Sequence, residues 1–205
     1  MTPLERIKAL FDQWYEQGIQ FSPSRVAGMD RKRLMQRFGE MGLTQGAEIG
    51  VDRASFSTYM FQHIPELHLL CVDPWPLRLR GKSRHRSTVA RLAQLNATII
   101  RKYSMDALAD VPDKSLDFLH IDGNHTFDFV MMDIICWSKK VKIGGVVAGH
   151  DYYRFRRGGV VAAVDVYTYQ HGITKWFLTD EKTPTWFWIR ELSSVDPVID
   201  ITGSE

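Results

Sequence analysis

The segment Ala47-Glu48-Ile49-Gly50-Val51-Asp52-Arg53-Ala54-Ser55, with its continuation Leu70-Cys71-Val72-Asp73-Pro74-Trp75, constrains the fold more than any other part of this 205-residue chain. Each piece reads as a short apolar strand that stops at a glycine or an acidic residue, and Phe56 to His63 between them reads as a helix. A strand, a glycine turn, a helix and a second strand ending in a carboxylate make a βαβ unit suited to a nucleoside. The glycine lets backbone approach the ligand, and Asp73 can accept hydrogen bonds from two ribose hydroxyls. A dinucleotide unit requires G-x-G-x-x-G, yet only Gly50 is present, with Asp52 and Ser55 at the other two places. A pyrophosphate would be poorly cradled there, and a nucleoside cofactor without phosphates fits better.

From Ala47 onward strands and helices alternate. The pattern predicts strands at 46–51, 67–73, 97–102, 116–121, 144–149, 175–179 and 184–190, with helices at 55–63, 83–95, 105–110, 126–141 and 159–171. Such alternation gives a mainly parallel sheet with helices on both faces. Leu4, Ile7, Phe11 and Trp14 recur at helical spacing, so an amphipathic helix runs to about Gly18, with an apolar face that can pack on a twin subunit. A second helix spans Asp30 to Phe38, capped by Asp30 and ended near Gly42. The aromatic runs Lys175-Trp176-Phe177-Leu178-Thr179 and Thr185-Trp186-Phe187-Trp188-Ile189 flank a polar loop and form a terminal antiparallel hairpin. The chain divides into an N-terminal helical cap (1–42), a Rossmann-like core (43–191) and a frayed tail (192–205) within one domain, a size that supports one sizeable core.

Composition narrows the function. Apolar residues are 44% and charged residues 24%, values of a globular domain, and the net charge of +2 gives no footprint for nucleic acid. Cys71 and Cys136 sit in apolar surroundings and read as buried free thiols. No apolar run approaches the ~20 residues of a membrane span, and the first residues carry no secretory signal, so the expectation is a cytoplasmic protein with no membrane partner.

Ligands of open α/β sheets bind at the carboxyl ends of strands. The fourth predicted strand ends in Asp122-Gly123-Asn124-His125, and the fifth in His150-Asp151-Tyr152. Two carboxylates and two imidazoles are thereby brought to one rim, where they can hold a divalent metal or leave His125 and His150 as paired acid–base groups. The stretch from Arg78 to Arg86 is expected as a loop at that edge. With Arg154, Arg156 and Arg157 it can attract an anionic substrate or remain a solvated loop. Arg31-Lys32-Arg33 reads as a solvated face. Met131, Met132 and Trp137 read as core filler.

Glu48-Ile49-Gly50-Val51, followed by Ala54 and Ser57, resembles motif I of class I S-adenosylmethionine-dependent methyltransferases, and Asp73 resembles their acidic loop. The likeness covers roughly residues 40 to 190. It implies an α/β Rossmann-like three-layer sandwich whose seven-stranded, mainly parallel sheet closes with the antiparallel hairpin. It implies S-adenosylmethionine as cofactor and a small-molecule acceptor methylated at a hydroxyl oxygen. By this resemblance Glu48 meets the cofactor's cationic amino group, directly or through water, the alternative being a carboxylate that only caps local backbone. Gly50, Val51, Asp73, Trp75, Ser104, Met105 and Asp122 complete the cofactor set, with Trp75 as a stacking surface or plain core packing and Asp106 as an ordinary helix charge. The Asp122, His125, His150 and Asp151 cluster resembles that of metal-dependent O-methyltransferases of macrolide sugars, the macrocin and mycinamicin types. They imply Asp122, His150 and Asp151 as metal ligands and His125, with Asp122, as the catalytic pair. His150 replaces an acid of that pattern, which points away from magnesium toward manganese, iron or zinc. An RNA or protein methyltransferase, or a nucleoside-binding protein without transfer activity, remains open on the same fold.

Overall fold

The computed structural model describes residues 1–17, 22–76, 79–155 and 158–191. The chain opens with α1 (Pro3–Gln17), β1 (Ser24–Val26) and α2 (Arg31–Met41). It continues through β2 (Gln45–Ile49), α3 (Ser55–His63), β3 (His68–Val72), α4 (Leu79–Leu92), β4 (Ala97–Ile100) and the single turn α5 (Ser104–Ala107). Then come β5 (Leu116–Ile121), α6 (Phe127–Trp137), β6 (Val141–Gly149), α7 (Val160–Gln170), β7 (Trp176–Thr179) and β8 (Trp186–Ile189). One eight-stranded sheet runs in the order β1-β7-β8-β6-β5-β2-β3-β4, and only β8 is antiparallel to its neighbours.

The alternation that predicted the sheet is also what fills its two sides. Leu69, Cys71, Phe118, Val146 and Ala148 face a core shared with α1, α2 and α3, while Ala47, Ile49, Val72, Leu119, Ile121 and Val147 face a core shared with α6 and α7. The terminal hairpin forms as expected, but its last strand lies inside the sheet, between β6 and β7. Its aromatic ladder explains the position. Phe177 and Phe187 stack at 5.5 Å, and Phe11 of α1 meets both rings edge-on at 5.4 and 5.2 Å. The apolar face of α1 thus packs on its own sheet.

Three details depart from the sequence pattern. The sheet has an eighth strand, β1, which pairs in parallel with β7 (Ser24 opposite Phe177). Its three residues are too few and too polar to show a period, and its existence depends on the edge of β7. The stretch from Arg78 onward is not a loop, because α4 begins at Leu79. Gly81 looks like a breaker, but a Cβ there would lie 1.9 Å from the Pro76 carbonyl oxygen, so the glycine serves a close approach of helix and backbone. Cys136 is only partly buried, unlike Cys71. Gly18, Arg78, Arg156, Arg157 and the tail from 192 lie outside the described residues. Among those described, no helix is long and apolar enough to cross a membrane.

Gly50 closes β2 with φ of 92°, and a Cβ built on it would fall 2.2 Å from the carbonyl oxygen of Asp122. Both the dihedral and the space demand glycine. Gly50→Ala is expected to destabilise the fold by ~2–4 kcal/mol, combining backbone strain with overpacking. Denaturant melts read this directly, and an unchanged midpoint would contradict the close approach.

Candidate functional site

Strands β2, β3, β5 and β6 end at the same edge, and each delivers a polar group just past its last paired residue. The ladder carries on beyond the strands: Gly50 N–H donates to the Val72 carbonyl at 2.9 Å, Asp122 N–H to Ile49 at 2.7 Å, and His150 N–H to Ile121 at 2.9 Å. Local backbone geometry is therefore fixed at the points where the side chains must converge.

At the β2–β3 end of this edge, Asp73 is anchored by backbone. Its two oxygens accept from Asp52 N–H at 3.0 Å and from Trp75 N–H at 2.8 Å. Trp75 itself is 1% exposed, its indole N–H donates to the Asp52 carbonyl at 2.7 Å, and its ring packs 5.0 Å from His85. It belongs to the core, and its ring is not open for stacking. Arg84 of α4 pairs with Asp52 at 2.8 Å, which ties the basic stretch to the glycine turn. Val51 is buried, Ser104 and Met105 begin α5, and Met105 packs on the α6 side of the core.

Glu48 lies beneath this turn and is 2% exposed. It accepts a hydrogen bond from the Ser57 hydroxyl of α3. Burial pushes its pKa up to about 8, against a lowering by Ser57, so it is protonated at neutral pH. His120, its neighbour across the β2–β5 pair, is fully buried with neither ring nitrogen hydrogen-bonded, and burial brings its pKa down to about 3. The ring sits 4.8 Å from Phe56, which in turn carries the Arg31 guanidinium at 4.8 Å.

The rim at the ends of β5 and β6 is charged. His125 Nε2 lies 3.3 Å from Asp122 Oδ1 and 3.0 Å from Asp151 Oδ2, while His150 Nδ1 lies 3.0 Å from Asp151 Oδ1 and 3.8 Å from Asp122 Oδ2. Each carboxylate therefore faces both imidazoles. Hydrogen bonding to Asp122 and then Asp151 raises the His125 pKa to about 9 against its partial burial. Burial opposes ionisation of Asp122, yet the hydrogen bond from His125 and the nearby imidazoles win, and its pKa is lowered. Hydrogen bonds from His125 and His150 hold Asp151 far below the usual carboxylate range. Among the described residues, the ligand atoms of Asp122, His125 and Asp151 gather within 4.8 Å of one another. His150 adjoins this set through Asp151 and contacts the Thr183 hydroxyl of the β7–β8 loop at 3.4 Å.

Arg31 was read from sequence as part of a solvated face, and the structure corrects this. Its guanidinium comes within 3.6 Å of Asp122, and its backbone N–H donates to Glu181 at 2.9 Å. A run of three basic residues carries no signal for this, because the orientation comes from Asp30 capping α2 at the sheet edge. Asp133, on α6, is a second group sequence reading passed over. It is a carboxylate buried among the apolar residues of its helix.

With this geometry in view, residues 47–152 match a family model described as a methyltransferase domain. A protein of Acanthamoeba polyphaga mimivirus, itself described as uncharacterized, is 27% identical over 130 residues, 61% of this chain. The chain spans 58% of that protein's length and 7% of the length of a second matched relative. Among solved structures, an O-methyltransferase from Bacillus cereus in complex with SAH superposes with a TM-score of 0.60 at 13% identity, covering 92% of this chain and 90% of its own. The O-methyltransferase TomG from Streptomyces achromogenes, involved in tomaymycin synthesis and solved in complex with SAM, gives 0.59 at 14% identity, with 91% and 89% covered. At such identities the likeness concerns the fold.

The Glu48 carboxyl titrates near 4.5 when unfolded and at about 8 in the fold. Between those values the native state keeps a proton that the unfolded chain has lost. Its contribution to stability is therefore full below 4.5 and drains as pH rises through 8. The melting temperature is expected to fall more steeply between about pH 5 and pH 8 in the wild type than in Glu48→Gln. Parallel curves would remove the buried, protonated assignment.

Proposed function

Because the chain belongs to the methyltransferase-domain family, we propose that it transfers the methyl group of S-adenosylmethionine to a hydroxyl oxygen of a small-molecule acceptor. The observation that carries this reading is the convergence, on one edge of the sheet, of a backbone-anchored Asp73 with the Asp122–His125–Asp151 cluster. Asp73 fits a vicinal diol, because each of its oxygens spends one acceptor site on backbone and retains another. The missing Cβ of Gly50 lets the β2 and β5 turns meet beside Asp73, and a Cβ on Gly123 would meet its nearest atoms only at 3.8 Å. Glu48 would answer a cationic amino group by releasing its proton to become a carboxylate. The residues that would hold the cofactor are thus Glu48, Gly50, Val51, Asp73, Ser104, Met105 and Asp122. Trp75 contributes from within the core by fixing the Asp52 carbonyl.

When bound, the cofactor supplies an electrophilic sulfonium methyl group, so the protein has to align an acceptor oxygen and receive its proton. Alignment of this kind can supply up to ~7–11 kcal/mol. His125 would take the proton on Nδ1, because its Nε2–H is committed to Asp122 and Asp151, which orient the imidazole and stabilise its charged form. The same two carboxylates hold a proton on His125 at neutral pH, so it acts from its minority neutral form. Arg31 faces the other oxygen of Asp122, at 3.6 Å.

A second reading has a divalent cation held by Asp122, His125 and Asp151, favoured by the gathering of their ligand atoms within 4.8 Å. Mixed carboxylate and imidazole donors suit manganese, iron or zinc. His125 would then be a ligand and no longer the base. His150, implied as a ligand by family pattern, would support Asp151 at 3.0 Å.

Calorimetric titration with S-adenosylmethionine and S-adenosylhomocysteine, before and after chelation, tests the proposal. Asp73→Ala is expected to weaken binding by at least about tenfold, the cost of one or two charge-assisted hydrogen bonds. His125→Ala is expected to leave binding intact and cut turnover ~10²–10⁴-fold. Unchanged affinity in the Asp73 variant would overturn the cofactor placement. Loss of turnover on chelation, restored by added manganese, would favour the metal reading over the free base.

A further inference from the structure

The net charge of +2 is the balance of two unlike parts of the chain. Between Pro74 and Met105 stand eight of the 26 lysines and arginines and none of the 24 acids, so the remainder carries 18 cations against 24 acids. Most of this basic segment is α4, which has no acid at any position. Its underside is set by Gly81, Thr88 and Leu92, which are buried, and His85 leans onto Trp75 at 5.0 Å. The helical repeat then sorts the exposed cations into two rows. Arg80, Arg84 and Arg91 follow one flank and Lys82 and Arg86 the other, with Ser83 and Ala90 exposed on the crest between them.

Local partners absorb little of this charge. Arg84 pairs with Asp52 at 2.8 Å, while Arg91 donates to the Ser55 hydroxyl at 3.2 Å, a neutral partner. Among the described residues, Arg80, Lys82 and Arg86 meet no carboxylate. Like charges on successive turns repel, a cost that an anion lying over them would relieve. Cations four positions apart in a row are ~6 Å apart along the axis, of the order of the step between phosphates of an extended strand. The small residues of the crest leave room for a backbone, which the guanidinium forks can grip from either flank. We infer that the outer face of α4 is a docking surface for the phosphodiester backbone of a single-stranded nucleic acid. Among the described side chains of α4, Val89 is the one large apolar group exposed, too little for insertion into a membrane. The two rows converge on one line, which suits one strand better than the two backbones of a duplex. Contacts of this kind position a strand and do not read its sequence.

The test is fluorescence anisotropy of the full chain with a labelled oligouridylate across a series of salt concentrations. The wild type is expected to bind, with an affinity that falls as salt rises. Lys82→Gln with Arg86→Gln is expected to weaken binding at low salt about tenfold and to flatten the log–log salt slope by about 1.4, or roughly 0.7 for each cation removed. Both side chains are exposed, so the melting temperature should not change. Lys8→Gln with Arg37→Gln removes the same net charge from α1 and α2 and is expected to leave affinity within about twofold, because salt screens distant charges. No binding at low salt, equal weakening by that control pair, or displacement by polyglutamate at the same charge concentration overturns the inference. Tighter binding to a duplex of the same length, or to phosphatidylserine vesicles, overturns it as well by giving the face to another partner. No cofactor enters any arm, so failure here leaves the methyl-transfer reading standing, and failure of that reading leaves this surface.

Discussion

The close approach of two backbones, Gly50 at the end of β2 and Asp122 at the end of β5, sets the geometry on which the rest of the site depends. Strands that must stop side by side while carrying acids would ordinarily spread apart, since like charges and unpaired backbone groups both favour solvent. Here the hydrogen-bond ladder runs one residue beyond the strands, and the missing Cβ of Gly50 lets the Asp122 carbonyl settle against it. The carboxylate of Asp122 is then turned toward β6, where Asp151 and the two imidazoles wait. A side chain at residue 50 would part β2 from β5 and move Asp122 away from His125 and from Arg31 together.

Environment divides the carboxylates of this edge into two kinds. Asp122 and Asp151 face imidazoles and are kept ionised, whereas Glu48, one layer down, faces a hydroxyl and apolar surroundings and keeps its proton. The buried imidazole of His120 is neutral for the same reason as Glu48. The core beneath the crevice is therefore uncharged while polar, and the charged rim lies above it within reach of a ligand. That separation allows a sheet to carry this many titratable groups without burying an unpaired ion.

Much of this was legible in sequence because it was periodic or local. Gly50, Asp73, the hairpin aromatics, the Asp30 cap and the acid–imidazole pairs at the ends of β5 and β6 all follow from patterns within a single element or its immediate turn. What escaped reading was made by contacts between distant segments. β1 is three residues whose partner, β7, lies some hundred and fifty positions away in sequence (Ser24 opposite Phe177). Arg31 resembles its basic neighbours until α2 is docked, and Trp75, a plausible stacking ring by position, is turned inward by a hydrogen bond to Asp52.

A clasp joins the N-terminal region to the hairpin beside the rim of Asp122 and His150. Gly28 N–H donates to Asp180 at 3.2 Å, Asp180 N–H to the Met29 carbonyl at 2.5 Å, and Arg31 N–H to Glu181 at 2.9 Å. Thr179 adds a hydrogen bond to Glu181 at 2.7 Å, which fixes that carboxylate. Arg31 is thus presented from a braced helix start, while Thr183 of the same hairpin loop reaches His150. An acceptor entering here would meet a rim in which two carboxylates are matched by Arg31 and a protonated His125, close to neutral in sum. On the proposed function, such neutrality would leave acceptor choice to shape and hydrogen bonding more than to long-range attraction. Because α2 and the β7–β8 loop hold each other, the position of Arg31 over Asp122 depends on both of them.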